Sequence, residues 1–405
     1  MLFPYNSKPI GERKMHQIQE KIRLWLDPVT VEHDAIRQLI NTSELPFVEG
    51  IAVMPDCHVG KGATVGSVIA YSGAISPAAV GVDIGCGMVG VKTKFFAHQL
   101  PDNLESVRDG IMRRVPVSAG GYQNEIKKHL ELNLKTLKKI AAVDYDAVDS
   151  RWPIQMGTLG GGNHFIEICL DENNQVWAVL HSGSRGIGNR IGNLHIKTAQ
   201  KLMDEYGVEL KDRDLAYLTE GTAEFKNYIR DLLWAQEFAR LNRETMMDQV
   251  MTELSFTLYG ENGHQKEIET DRINCHHNFT QQEEHFEKKL WITRKGAIQM
   301  KKGQRGIIPG SMGSKTYIVS GLENPLAYHS APHGAGRRFS RAEAKRRFTE
   351  DDLRESMKGI VYRHNPGLVD EIIGAYKNID EVMENSKDLV RVEHILRQVV
   401  NVKGN

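Results

Sequence analysis

The residues of this chain that can do chemistry are concentrated in glycine-rich strings. Asp83 and Cys86 stand three apart around a glycine in GVDIGCGMVG (81–90), so a tight loop can aim a carboxylate and a thiolate at one ion. His164 lies in GTLGGGNHF (157–165), His181 opens HSGSRGIGNRIG (181–192), and His276 and His277 are adjacent in NCHHN (274–278). A thiolate, imidazoles and a carboxylate together suit a transition ion of intermediate softness. With one such thiolate and several imidazoles, a single cysteine can bridge two ions. The spacings match no zinc finger, so spacing does not name the metal. Taken singly, Cys86 also reads as a small buried hydrophobe and His181 as a satisfied strand-end histidine; the joint pattern is what favours ligation. Cys57, Cys169 and Cys275 lack equally suggestive settings, although Cys57 lies between Asp56 and His58.

A second concentration is APHGAGRRFSR (331–341), where His333 is followed by Gly-Ala-Gly and then by Arg337, Arg338 and Arg341. An imidazole beside nearly bare backbone can be a metal ligand, a general base, a nucleophile, or a residue that fits a tight turn. Glycines let a ligand approach the backbone, and guanidinium forks suit phosphate. A nucleophile toward phosphate would account for both halves of the string, with Arg337 holding a phosphate nearby, but the string by itself leaves all four roles open. Lys345, Arg346 and Arg347 extend the densest basic run in the chain; they read as a solvated helix face balanced by the acidic TEDDLRE (349–355). PGSMGSKT (309–316) resembles a P-loop but fails it, because Ser314 separates Gly313 from Lys315. On its own that string reads as a hairpin turn, although such a turn can still cradle phosphate.

These loops need a frame. FIEICL (165–170), VWAVLH (176–181), LWITR (290–294) and TYIVSG (316–321) read as short strands, and LVRVEHILRQVVNVK (389–403) as a closing strand pair. Residues 122–142 place Ile126, Leu130, Leu134, Leu137 and Ala141 at spacings of three and four, which predicts an amphipathic helix with a lysine-rich outer face. A longer helix is expected over 222–252, opened by Thr222 as N-cap. Helices and strands intermixed without a Pro/Gly/Ser-rich linker or a repeat predict a mixed α/β (α+β) body with no cut point.

The totals exclude several classes. The 405 residues are 40% hydrophobic and 26% charged with a formal net charge of +0, so bulk electrostatics do not announce a nucleic-acid binder. No apolar run approaches the length of a membrane span, and the N-terminus carries no secretory pattern. Four cysteines make no disulfide scaffold and fit the reducing cytoplasm.

With the strings assembled, the chain resembles the RtcB family of RNA ligases. The matching segments are MPDCHVGKG, GVDIGCGM, GTLGGGNHFIE, HSGSRGIG, HHN, TRKGA, GIIPGSMG, HGAGR and the terminal VKG, in order from about residue 50 to residue 404. The resemblance implies one RtcB-like catalytic domain over residues 1–405 with a central two-metal site, expected as a monomer. It implies joining of an RNA 3′-phosphate or 2′,3′-cyclic-phosphate end to a 5′-hydroxyl end, using GTP and two Mn2+ ions. By the same resemblance His333 is the nucleophile that becomes guanylylated, and Asp56 orients it. Asp83, Cys86 and His164 would hold one ion and Cys86, His181 and His277 the other, leaving His276 as a structural neighbour. Nucleotide contacts fall on Asn163, Phe165, Glu167, Asn278, Ser311, Met312, Gly334, Arg337 and Lys403. Pro332 and Cys57 depart from the family's usual residues. The stretch 112–150 aligns with none of its strings and is expected to help choose the RNA, for general repair, tRNA splicing or a specialised repair role. Two rival readings are a metal-dependent phosphoesterase that opens cyclic phosphate without ligating, and a non-catalytic binder of RNA ends.

Overall fold

The computed structural model describes residues 15–118, 120–260 and 268–404. Its centre is a pair of facing sheets. Among the described residues the first has six strands, in the order His16–Gln19, Ile22–Leu24, Val48–His58, Val65–Tyr71, Lys288–Lys295 and Asn278–His285. The second has eight. Seven run in the order Glu269–His276, Gly87–Phe96, Gln175–Ser182, Phe165–Leu170, Val390–Lys403, Lys315–Gly321 and Arg305–Pro309, and Val361–Tyr362 pairs with Val390–Lys403.

Alternation along the strands shows why the sheets pack as they do. In Gln175–Ser182, Trp177 and Val179 join the core between the sheets, whereas Val176, Ala178 and Leu180 face an outer helical layer. In Val65–Tyr71, Val68 and Ala70 point into the same inner core, and Ile69 and Tyr71 into a second outer layer. Strands buried on both faces read as continuous apolar runs. For that reason the four strands expected from such runs all appear, each within two residues of its expected ends.

The expected long helix is Ala223–Tyr259, ending seven residues beyond its sequence signal, with the Thr222 side chain accepting a bond from Phe225 N. Its first half buries Phe225, Trp234 and Phe238 under one sheet, and its second half buries Met247, Met251 and Leu254 under the other. One helix thus fastens the outer faces of both sheets.

Two expectations need correction. Only Glu131–Ile140 of the 122–142 stretch is α-helical, preceded by a 3-10 turn at Lys128–Leu130. Leu134 and Leu137 are buried as the stripe requires, but Ile126 is exposed. At the start of the stretch Gln123 is held outside any helix: its N donates to Ile154 O at 2.9 Å and its Nε2 to Gly157 O at 3.0 Å. The closing strand pair is instead one strand, Val390–Lys403, with register shifts opposite Ile318/Val319 and at Gln398/Val400. A bulge changes the alternation phase within a continuous strand, and in sequence that looks like two strands.

Candidate active site

Strands of the second sheet come to a common edge. The register pairs His276 with Gly87, Met88 with His181, His181 with Phe165, and Phe165 with Lys403, so five neighbouring strands begin or end there. The first sheet delivers Asn278 opposite Lys295 and His58 opposite Val65 to the same place. A cavity of about 310 Å³ opens between them. Of the residues expected at the site, all but Asp56 and His164 line it, and those two are buried just behind the lining.

The Asp83–Cys86 loop is tight because Gly85 adopts φ +69°, and a Cβ there would lie 2.8 Å from Gln236 Cα and 2.9 Å from Ala239 Cβ. The long helix thus packs on bare backbone. From its middle the buried Arg243 donates to Gly85 O at 2.7 Å and to Ser182 O at 3.1 Å. Its neighbour Asn242 accepts from Gly157 N at 2.8 Å and donates to Gly183 O at 3.1 Å. Sequence reasoning missed this pair; an Asn-Arg dipeptide inside an otherwise apolar helix stripe was the available signal.

The candidate ligands converge. Cys86 Sγ lies 3.4 Å from His164 Nε2 and 3.2 Å from His181 Nε2, and is common to two groups, Asp83–Cys86–His164 and Cys86–His181–His277. His164 Nε2 stands 3.1 Å from Asp83 Oδ2, and His181 Nε2 2.9 Å from His277 Nε2. The other ring nitrogens fix the tautomers: Nδ1 of His164 faces Leu159 O at 3.0 Å and Nδ1 of His181 faces Asn163 O at 3.1 Å. Since carbonyls only accept, each Nδ1 carries the proton and each Nε2 is bare. His277 Nδ1 likewise faces Asn278 Oδ1, which is held as an acceptor by Gly296 N. Two bare Nε2 atoms therefore face each other across 2.9 Å, an arrangement that a shared cation relieves. Burial, and then neighbouring imidazoles, hold His181 and His277 well below the usual histidine range, so both are neutral as ligation requires. His276 points away from this cluster, with Nδ1 against Gly85 O at 2.8 Å.

His333 stands beside the cluster, its ring 4.6 Å from that of His277. Its Nδ1 bonds Asp56 Oδ2 at 2.6 Å, and its backbone N donates to the same oxygen at 3.2 Å. Asp56 is fully buried, so Nδ1 is committed and Nε2 is the free atom of the ring. Glycine makes room here: at Gly296, with φ +65°, a Cβ would lie 3.0 Å from His333 Cε1. Pro332 fits for a backbone reason. Met300 N donates to His329 O at 2.6 Å, and pairs alternate in an antiparallel ladder, so Pro332 meets Ala297 at a non-hydrogen-bonded position where no N–H is needed.

On the other wall, Lys403 Nζ lies 5.8 Å from the Phe165 ring centroid and 2.9 Å from the Glu371 carboxylate. Glu167 is buried against Asn401 Nδ2 at 3.1 Å, and burial, only partly offset by Lys403, pushes its carboxyl from 4.5 up to about 8. PGSMGSKT is a hairpin turn, closed by Gly310 N to Lys315 O at 2.8 Å, and its Ser311 and Met312 line the cavity. Arg337 also lines it, but its fork is engaged with Tyr376 Oη at 3.0 Å, Asp370 O at 2.8 Å and Glu371 at 3.4 Å. The basic run finds its carboxylates outside 349–355, correcting that expectation: Arg341 pairs with Asp370 and Glu371, Lys345 with Asp370 and Arg347 with Glu343. Residues 350–356 form a separate helix whose Arg354 pairs with Asp351 and Glu350. Glu371 and Tyr376 were missed in the sequence, since no glycine string or chemical spacing marks them.

The family model described as "tRNA-splicing ligase RtcB" matches residues 38–404. The chain is 46% identical over 401 residues to the RNA-splicing ligase RtcB of Escherichia coli (strain K12), covering 95% of this chain and 97% of that one. It is 30% identical to the tRNA-splicing ligase RtcB of Nanoarchaeum equitans over 448 residues, with 92% of each covered. That of Aeropyrum pernix is also 30% identical, with 86% of this chain and 87% of the relative covered. On the match across nearly its whole length, the chain belongs to the RtcB family.

Proposed function

We propose that this protein is a GTP- and manganese-dependent RNA ligase that joins 3′-phosphate or 2′,3′-cyclic-phosphate ends to 5′-hydroxyl ends, in RNA repair or tRNA splicing. RNA ligation itself follows from membership of the family, whose relatives are named RNA-splicing and tRNA-splicing ligases. We read residues 1–405 as one catalytic unit, since residues from His58 to Lys403 line one cavity. The observation that carries the finer reading is the placing of a carboxylate-oriented imidazole, His333, beside two ligand groups that share Cys86.

Asp83, Cys86 and His164 would hold one Mn2+ and Cys86, His181 and His277 the other; such ions offset charge on a transferring phosphoryl group. Asp56 holds His333 in the tautomer whose Nε2 is nucleophilic. That nitrogen bonds to the α-phosphorus of GTP as the bond to the β-phosphate oxygen breaks and pyrophosphate leaves. The guanylate passes to the RNA 3′-phosphate, giving RNA(3′)pp(5′)G, and the 5′-hydroxyl then displaces GMP. Asn163, Phe165, Asn278, Ser311, Met312, Gly334 and Lys403 surround the nucleotide in this reading, and ionised Glu167 accepts N–H bonds from the guanine edge. A phosphoesterase would need neither the His333–Asp56 pair nor Glu167. The test is to supply RNA with 3′-phosphate and 5′-hydroxyl ends, GTP and Mn2+: a joined strand is expected, and conversion of ends without joining would overturn the proposal.

Two further outcomes follow from the geometry. At Gly183 a Cβ would lie 2.1 Å from Asp83 Oδ1, at the movable end of a side chain. Gly183→Ala should displace that carboxylate and weaken binding at the Asp83 ion by roughly 10–100-fold with little loss of fold; metal titration read beside circular dichroism checks both halves. The second concerns pH. With its carboxyl at about 8, Glu167 is mostly protonated at neutral pH in the free protein and must lose that proton to accept from guanine. Guanosine binding should therefore tighten as pH rises toward 8, approaching tenfold per unit, and flatten above it. Calorimetry across this range should lose the slope in Glu167→Gln.

A further inference from the structure

The stretch that matches no family string carries an unusual charge pattern. Residues 125–139 hold Lys127, Lys128, Lys135, Lys138 and Lys139 against only Glu125 and Glu131, in a chain whose net charge is +0. Lys127 is half-buried and the other four are exposed. Among the described residues none of the five is in an ion pair. Elsewhere on the surface Lys201 pairs with Glu205, Lys211 with Glu44, Lys288 with Glu49 and Lys387 with Glu384. Among the described residues Lys197, Lys226, Lys289, Lys301 and Lys302 are exposed and unpaired too, so the mark of this stretch is the clustering of its five lysines.

The patch is rigidly mounted. Leu134 and Leu137 of Glu131–Ile140 are buried, Trp234 Nε1 donates to Leu137 O at 3.1 Å, and Asn133 Nδ2 donates to Thr245 Oγ1 at 2.8 Å. Leu130 and Gln123 pack on Gly157, which opens the loop that runs on to Asn163 and His164. Helix electrostatics account for only part of it. Lys138 and Lys139 in the last turn complement the macrodipole, but Lys127 and Lys128 stand before the first turn, where a cation is disfavoured.

We propose that this lysine face, Lys127, Lys128, Lys135, Lys138 and Lys139, binds the phosphate backbone of the RNA substrate away from its reacting ends. The inference rests on the RNA-ligase reading. A cavity of about 310 Å³ takes a nucleotide and a reacting end, so the remainder of the RNA lies across the surface. Ammonium groups lack the planar fork that reads base edges, so the contact is to phosphate and independent of sequence.

The test compares two five-lysine variants, each with Gln at every changed position, since Gln and Lys have similar helix propensity. One changes Lys127, Lys128, Lys135, Lys138 and Lys139. The control changes the paired Lys201, Lys211, Lys288, Lys358 and Lys387. Binding of a hairpin RNA cut in its loop is measured between about 50 and 200 mM salt. For the first variant the slope of log affinity against log salt should fall by roughly 0.7–0.9 for each lysine that neutralises a phosphate, at least about 2 in all. The control slope and the covalent uptake of guanylate by both variants should match wild type. An unchanged slope in the first variant, or an equal fall in the control, overturns the proposal and leaves the face to a protein partner or to plain solvation. Wild type that takes up no guanylate would instead be a failure of the ligase reading, so the two failures are distinguishable.

Discussion

Replacing His333 by alanine should leave the protein folded and unable to retain label from α-labelled GTP in the presence of Mn2+. Ligation should fall by about 10⁴-fold or more, the scale on which removing a nucleophile acts. His333 Nδ1 is spent on Asp56 Oδ2 at 2.6 Å, so the ring has one nitrogen left to react. Alanine removes that nitrogen yet keeps the backbone bond from residue 333 to the same carboxylate. The cost in stability is one lost hydrogen bond to a buried carboxylate oxygen that keeps its backbone partner, about 1–3 kcal/mol. Asp56→Asn separates orientation from nucleophilicity: the imidazole remains, so acid-labile label should still form, but slowly. Label that survives His333→Ala would move the covalent site to another residue and sink the assignment.

The chemistry of the site was legible because ligand types and glycines occur together in short strings. Asp83 with Cys86, and His333 with its Gly-Ala-Gly, announce themselves wherever they lie in space. The strands Phe165–Leu170 and Gln175–Ser182 were equally plain, since burial on both faces leaves no polar alternation to misread. What stayed hidden depends on distance. Glu371 meets Lys403, Arg341 and Tyr376 only because the last strand returns Lys403 to the edge of the sheet beside Phe165. Arg243 clamps Gly85 from a helix more than a hundred residues downstream, and nothing local in either segment refers to the other. Gln123 was misassigned to a helix for the same reason: its local spacing favours helix, and two bonds to residues 154 and 157 override it.

Cys86→Ala should take both metal ions from the protein rather than one. Its sulfur belongs to both ligand groups, 3.4 Å from His164 Nε2 and 3.2 Å from His181 Nε2. Without it one group keeps Asp83 and His164, the other His181 and His277, and neither pair closes a site that solvent cannot compete for. In the metal-free protein burial, and then Asp83, push this thiol well above its ordinary range, so a thiolate is stable there only beside a cation. The dependence is mutual: ions hold the thiolate, and the thiolate holds both ions. The fold should tolerate the change, because truncating one buried sulfur to a methyl group leaves a small void worth about 1 kcal/mol. Elemental analysis of the purified variant, with circular dichroism as the control, reads the result against two single-group changes. Asp83→Ala and His277→Ala should each lose one ion, and Cys86→Ala should lose two. Retention of one ion in Cys86→Ala would confine the sulfur to a single group, and retention of two would remove the bridge altogether.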